Sequence, residues 1–78
     1  MKIEIRLLDT PHNESGRLLE IVEVTGSSYQ HTQERVLSRM IHHAREHFGH
    51  NNYAPKVDTS IFGGYYVNVE SGACIVAR

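Results

Sequence analysis

The chain has 78 residues, with eight Lys and Arg against nine Asp and Glu, and a single Cys. This length fits one small domain and excludes a second core or a dinucleotide-binding domain. The formal net charge of −1 disfavours a general binder of nucleic acid or anionic membranes, because such proteins carry a basic excess. One Cys excludes an internal disulfide, and we find no apolar run typical of a signal peptide or a membrane span, so we expect a cytoplasmic protein.

The first part of the chain predicts two strands. Residues 2–8 alternate apolar and charged side chains with the period of two that marks a half-buried strand. Residues 10–16 contain Pro, Asn and Gly and predict a loop. A second strand is expected over about residues 17–25, where apolar side chains fall on both faces and favour a central strand or a sheet whose outer face is also covered.

The pattern changes its period after Gly26 and predicts one long helix over about residues 28–48. Ser27 and Gln30 have the spacing of an N-terminal capping box, and Gly49 fits a C-terminal cap. Apolar residues recur at steps of three and four, which gives a single stripe that can face a sheet. The stripe consists of Val36, Leu37, Met40, Ile41, Ala44 and Phe48.

Three further strands are expected after the helix. They cover about residues 56–62, 65–70 and 73–78, and turns at Gly63-Gly64 and Ser71-Gly72 connect them. The order ββαβββ predicts a small α+β domain, in which an antiparallel sheet carries one long helix on a face. On the other face of that sheet we expect apolar residues that a second copy could cover in a homodimer, namely Leu8, Phe62, Tyr66 and Val76.

The sharpest feature of the sequence is a cluster of histidines at the end of the predicted helix. His43 and His47 are four residues apart, a spacing at which one helix offers two nitrogens to a Zn²⁺ ion. His50 could supply a third ligand if the chain turns back after Gly49. Alternatively, these side chains are solvated or packed against the edge of the sheet, or they respond to pH, since free imidazole titrates near pH ~6.5.

Residues 43–47 read H-x-x-E-H, which resembles the motif of the inverted zincin metallopeptidases. That resemblance implies His43 and His47 as zinc ligands and Glu46 as a general base. Those peptidases take a further carboxylate ligand from a second helix, whereas this chain predicts only one long helix. We therefore expect no enzymatic activity, with a metal-binding protein or a metal-dependent hydrolase as the alternative.

Basic residues follow the outer face of the predicted helix. Arg35, Arg39 and His42 recur at i, i+4 and i+7, a spacing suited to phosphates or to an acidic protein surface. Residues 28–50 contain three Arg and two Glu, a net charge of +1, which leaves −2 for the remainder of the chain. Protonation of the histidines would make this helix strongly positive below pH ~6.5.

These observations predict a non-enzymatic, self-associating protein-interaction module that presents the helix face or the sheet face to a macromolecular partner. One alternative is a small inhibitor or accessory protein, of the kind that phages encode, that blocks a larger nucleic-acid-handling complex. Others are metal binding through His43, Glu46 and His47, and direct binding of nucleic acid through Arg35, Arg39 and Arg45. The candidate partner-binding residues are Arg35, Arg39, His42, Arg45, Glu46 and Tyr66.

Overall fold

The computed structural model describes residues 2–9, 16–24, 29–57 and 64–78. In these segments five strands form one antiparallel sheet and a long helix packs on one of its faces, which confirms the α+β class and the order ββαβββ. The elements are β1 (Lys2–Leu8), β2 (Arg17–Glu23), α1 (Tyr29–Phe48), β3 (Tyr53–Val57), β4 (Gly64–Asn68) and β5 (Cys74–Ala77). Their order across the sheet is β2-β1-β5-β4-β3, so β2 and β3 are the two edge strands.

The main core lies between α1 and the sheet. Four members of the predicted helical stripe are buried, and Leu37 and Ile41 are half-buried at its border. The stripe forms because residues three and four apart lie on the same side of a helix, whereas alternate residues of a strand lie on the same side of a sheet. The buried residues of this core are Ile3, Ile5, Val22, Val36, Met40, Ala44, Phe48, Ile75 and Ala77. Within the described chain, α1 is too polar to serve as a membrane-spanning helix.

The face of the sheet away from the helix carries a second, smaller cluster. Leu8, Cys74 and Val76 are almost completely buried there, and Val67 packs against them. Leu8 and Val76 therefore lie on the predicted face of the sheet. Because the chain itself buries them, neither offers apolar surface to a second copy.

The predicted position of Tyr66 on that second face is wrong. Tyr66 pairs with Ile75 of β5, and residues directly opposite in a sheet lie on the same face. Since Ile75 belongs to the helix-side core, Tyr66 also packs against that core. Phe62, the remaining residue predicted for this face, lies outside the described residues.

The third strand begins earlier than predicted. β3 starts at Tyr53 rather than near residue 56, and it includes Pro55, which the sequence pattern assigns to a loop. An edge strand tolerates proline because the missing N–H can face solvent instead of a neighbouring strand. Gly64 pairs with Val57 and belongs to β4, so the predicted two-residue turn at Gly63-Gly64 is also wrong.

The connections are described only in part. The predicted cap at Gly49 is confirmed by a hydrogen bond from its N–H to the carbonyl of Arg45 at 3.0 Å. The turn before β5 is confirmed as well, since the N–H of Gly72 donates to the carbonyl of Asn68 at 3.0 Å. Most of the predicted loop at 10–16, Ser27 of the predicted capping box, and residues 58–63 at the end of the predicted third strand lie outside the described residues.

The pairing of β1 with β2 contains a shift in register. Ile5 pairs with Glu20, but the next residue, Arg6, pairs with Leu18, so Leu19 is an extra residue in β2. Such an insertion is a β-bulge, which re-aims the side chains that follow it. Because Ile5 lies in the helix-side core, its partner Glu20 also faces the helix.

The bulge also places two apolar residues of β2 on the face away from the helix. Leu18 pairs with Arg6 and Ile21 pairs with Glu4, and the Arg6 and Glu4 side chains are hydrogen-bonded to each other on that face. Leu18 and Ile21 are three residues apart and would lie on opposite faces of a regular strand. Here they share one face, and both are exposed.

Two glycines with positive φ provide a test of local packing. Gly16 and Gly72 have φ of 84° and 81°. A Cβ at Gly16 would overlap Leu8 Cδ2 and lie 2.6 Å from the carbonyl oxygen of Leu7, whereas a Cβ at Gly72 would meet nothing within 4 Å. Gly72→Ala should cost about 1 kcal/mol of backbone strain, and Gly16→Ala about 1–3 kcal/mol more. Chemical denaturation of the two variants measures the difference, and equal losses would contradict the crowding at Gly16.

Candidate functional site

Glu20 of β2 brings a carboxylate into contact with the helix. Glu20 Oε1 lies 2.8 Å from His43 Nε2, and Arg39 Nε donates to the two carboxylate oxygens of Glu20 at 2.9 and 3.1 Å. His43 is buried, whereas Glu20 and Arg39 are partly exposed. We refer to Glu20, Arg39 and His43 as the β2–α1 clamp, because one carboxylate of β2 joins two residues in successive turns of the helix.

The clamp changes the ionisation of its carboxylate. Burial alone raises the pKa of a carboxyl group, but the hydrogen bonds from His43 and Arg39 outweigh burial and hold the pKa of Glu20 below its usual value of 4.5. Glu20 is therefore ionised at neutral pH, and its charge is paired with Arg39. The sequence did not predict this contact: the guanidinium of Arg39 pairs with the sheet, while its partly exposed side chain still lines the outer face of the helix.

The structure does not bring the predicted metal ligands together. His43 directs Nε2 to Glu20, and its ring is stacked on His47 with 6.3 Å between the centroids. His50 lies exposed in the turn that follows Gly49. Among the described residues, no group of three or more His, Cys, Asp or Glu side chains could hold a metal ion.

Most of the predicted partner-binding residues lie on the outer face of α1. Arg35 is exposed and makes no ion pair within the described part of the chain. Arg45 is also exposed, and its Nε donates a hydrogen bond to the hydroxyl of Tyr53 at 3.3 Å. His42 Nε2 lies 3.3 Å from Glu46 Oε1 on the next turn of the helix. The structure thus brings His42 and Glu46 together and leaves Arg35 and Arg45 without a carboxylate among the described residues.

A shallow groove of ≈ 430 Å³ crosses this outer face of the helix. A hydroxyl, an imidazole and two guanidinium groups surround one aliphatic side chain in it. This set suits a carboxylate-bearing segment of a protein, because an Arg fork matches a planar carboxylate and the aliphatic group supplies apolar contact. We refer to it as the helix groove; it is lined by Ser38, Arg39, Ile41, His42 and Arg45.

Tyr66, which packs against the helix-side core, contacts a residue that binds Arg45 of this site. Its ring packs edge-to-face against Tyr53 at 5.8 Å, and Tyr53 in turn accepts the hydrogen bond from Arg45. Burial, and to a smaller extent the neighbouring Tyr53, raises the pKa of Tyr66 above its usual value of 10.0. Tyr66 is therefore linked to the helix groove through Tyr53.

A second groove lies on the far side of the sheet, beside the turn between β4 and β5. It has a volume of ≈ 560 Å³ and is lined by Ala54, Lys56, Val67 and residues 68–72. Its charged side chains, Lys56 and Glu70, have opposite signs, and the rest of its lining is aliphatic or uncharged polar. Such a lining favours no single class of ligand.

Three residues of the site are not among those predicted from the sequence. Glu20 has a recognisable signal, because it alternates with Val22 and Val24 and so places a carboxylate on the core-facing side of a strand. Ser38 precedes His42 by one helical turn, a spacing that assigns it to the same face. Tyr53 has no such signal, since its contact with Arg45 depends on where β3 lies.

No family model matches the chain, and no match to it was found among curated proteins or solved structures. Its function is therefore inferred from its own residues and their geometry.

Replacing Glu20 by Gln tests the β2–α1 clamp. The variant keeps the shape but removes the charge, so we expect a loss of about 1–3 kcal/mol in the free energy of unfolding near neutral pH. Because the pKa of Glu20 is lowered in the folded chain, the advantage of wild type is fully present above pH 4.5 and disappears as the pH falls through the folded-state pKa. Denaturant titrations from neutral pH down to about pH 3 measure this dependence.

Glu46→Gln is the matched control for that experiment. Glu46 is also a carboxylate paired with a histidine, but both partners are exposed. We expect this variant to lose less than about 0.5 kcal/mol. A loss in Glu20→Gln that stays constant from neutral to acidic pH would contradict the ionised clamp.

Proposed function

We propose that the chain is a non-enzymatic protein-interaction module whose helix groove binds a carboxylate-bearing surface of a partner protein. The observation that carries this proposal is the helix groove, where Ser38, His42 and Arg45 offer hydrogen-bond donors on one exposed face. Within the described chain, the guanidinium of Arg45 forms a hydrogen bond only with the uncharged hydroxyl of Tyr53. Its guanidinium therefore retains donors for a carboxylate from outside.

The charges on α1 favour a protein partner over nucleic acid. Arg35 and Arg45 are balanced on the exposed part of the helix by Glu34 and Glu46, so this surface has no basic excess while its histidines are neutral. Affinity for nucleic acid depends on such an excess, since cationic groups must neutralise phosphates. Protein interfaces use charges of both signs for specificity, and Ile41 adds the apolar contact that they contain.

Contacts on two sides of the helix groove hold it in place. On one side Arg39 is fixed by Glu20 of β2, and on the other Arg45 is hydrogen-bonded to Tyr53 of β3. Side chains that are ordered before binding lose less conformational entropy on binding. The contacts with the sheet therefore order the side chains of the helix groove before a partner binds.

Inhibition of a larger nucleic-acid-handling complex is a variant of this proposal, because the same helix face would then cover a surface of that complex. We also propose a cytoplasmic location. The only Cys of the sequence, Cys74, is buried and unpaired, which suits a reducing compartment.

Charge reversal at Arg45 tests the proposed function. Arg45→Glu should weaken partner binding by at least about tenfold, because it sets a carboxylate against the carboxylates of the partner. Lys56→Glu is the matched control, since it makes the same charge change on an exposed residue of β3 and should leave binding within about twofold. Quantitative affinity capture from the native host with wild type and both variants identifies the partner, and titrations at several salt concentrations then measure its affinity.

The comparison of wild type with the two variants decides the outcome. A protein captured by wild type and Lys56→Glu but lost with Arg45→Glu, and bound more weakly as salt increases, supports the proposal. If Arg45→Glu retains every protein that wild type captures, the proposal fails. Wild-type binding to DNA or RNA oligonucleotides that both Arg35→Glu and Arg45→Glu abolish would indicate the nucleic-acid alternative instead.

A further inference from the structure

We propose that two copies of this chain pair antiparallel through their β2 strands, across a two-fold axis, and join their sheets into one. Two of the residues predicted for self-association through the face of the sheet, Leu8 and Val76, are buried within the chain. The exposed edge of the sheet offers a different surface. It is separate from the helix groove, so this inference does not depend on the proposed function.

β2 is an edge strand suited to further pairing. It lies at one end of the strand order, is seven residues long and contains no proline. The opposite edge, β3, contains Pro55, which lacks a backbone donor. A second strand can therefore be added at β2 more readily than at β3.

The backbone groups of Leu18 and Ile21 point to the open side of β2. Glu4 exchanges two backbone hydrogen bonds with Arg78, at 2.8 and 2.9 Å, on the side of β1 away from β2. Because these groups alternate along an antiparallel strand, Ile21, which lies opposite Glu4, directs its N–H and C=O away from β1. Arg6 lies two residues after Glu4, so its backbone groups point to the same side of β1 as those of Glu4. Leu18, which lies opposite Arg6, therefore also directs its N–H and C=O away from β1.

The side chains of the same two residues supply an apolar contact. Leu18 is 43% exposed and Ile21 is 50% exposed, on the face away from the helix. If the two-fold axis passes between Leu19 and Glu20, Leu18 of each copy lies opposite Ile21 of the other. Four aliphatic side chains then cover one another while the backbones of these four residues exchange hydrogen bonds. The bulge permits this match, since residues three apart in a regular strand share neither face nor backbone direction.

The charges at the ends of β2 favour an antiparallel arrangement. Arg17 and Glu23 occupy its two ends, are exposed and form no ion pair with any described residue. In this register Arg17 lies opposite Val22 and Glu23 lies opposite Gly16 of the other copy, on different faces of the sheet. Antiparallel pairing thus sets the basic end of one strand near the acidic end of the other without a direct ion pair. Parallel pairing would bring like charges together, which destabilises a sheet.

The oligomeric state of the full chain tests this inference. Sedimentation velocity over a concentration series that reaches millimolar should show a monomer–dimer equilibrium. Ile21→Lys should raise the dimer dissociation constant at least about tenfold, because each dimer then holds two ammonium groups in its apolar contact. Val69→Lys is the matched control, since Val69 is 60% exposed outside β2, and this change should move the constant less than about twofold. Circular dichroism verifies that each variant is folded, and Leu18→Lys replaces Ile21→Lys if the latter is not.

Charge reversal tests the direction of pairing. Arg17→Glu and Glu23→Arg should each weaken the homodimer about twofold to threefold, because exposed like charges then lie near each other at both ends. An equimolar mixture of the two variants should form a heterodimer about as tight as the wild-type dimer, because opposite charges again lie near each other. A wild-type chain that stays monomeric at millimolar concentration, a dimer unaffected by Ile21→Lys, or a mixture that does not recover would each overturn the inference.

Discussion

The structure depends on how β2 pairs with β1. Glu20 faces the helix because it alternates with the buried Val22, and the extra residue Leu19 sets Leu18 on the same face as Ile21, away from the helix. In a strand without the insertion, alternation would set Leu18 and Ile21 on opposite faces. The regular part of this pairing thus supplies the carboxylate of the β2–α1 clamp, and its bulge supplies the apolar pair at the edge of the sheet.

The helix is linked to the sheet by polar contacts on both of its sides. Glu20 of β2 binds Arg39 and His43, and Tyr53 of β3 accepts a hydrogen bond from Arg45. These links join α1 to the two outermost strands, whereas its apolar stripe packs between them. The helix groove lies on the solvent side of the same helix, so the side chains that anchor α1 also shape the proposed binding surface.

Local patterns predicted the elements that have strong periodicity. β1 occupies the predicted residues, and the described helix, Tyr29–Phe48, lies within the predicted span, because alternation and the helical stripe need no distant contact. The predicted start of β3 was wrong because Pro55 is unfavourable in most strands. A strand can contain proline when it lies at the edge of a sheet, and the sequence does not show that position. The face of Tyr66 depends on pairing with β5, and β4 itself has no clear alternation of burial after Gly64. The ion pair of Arg39 with Glu20 could not be predicted from a local pattern, because the two residues are distant in sequence.

Pro55 has a consequence for how large an assembly of this chain can become. A sheet with two open edges can add copies without limit, which leads to fibres. Here one edge strand contains a proline, and a two-fold pairing of β2 strands would consume the open edge of each copy. The assembly would then stop at two copies, because no open edge strand would be left. A protein with one open edge strand can in this way form a dimer without growing into a fibre.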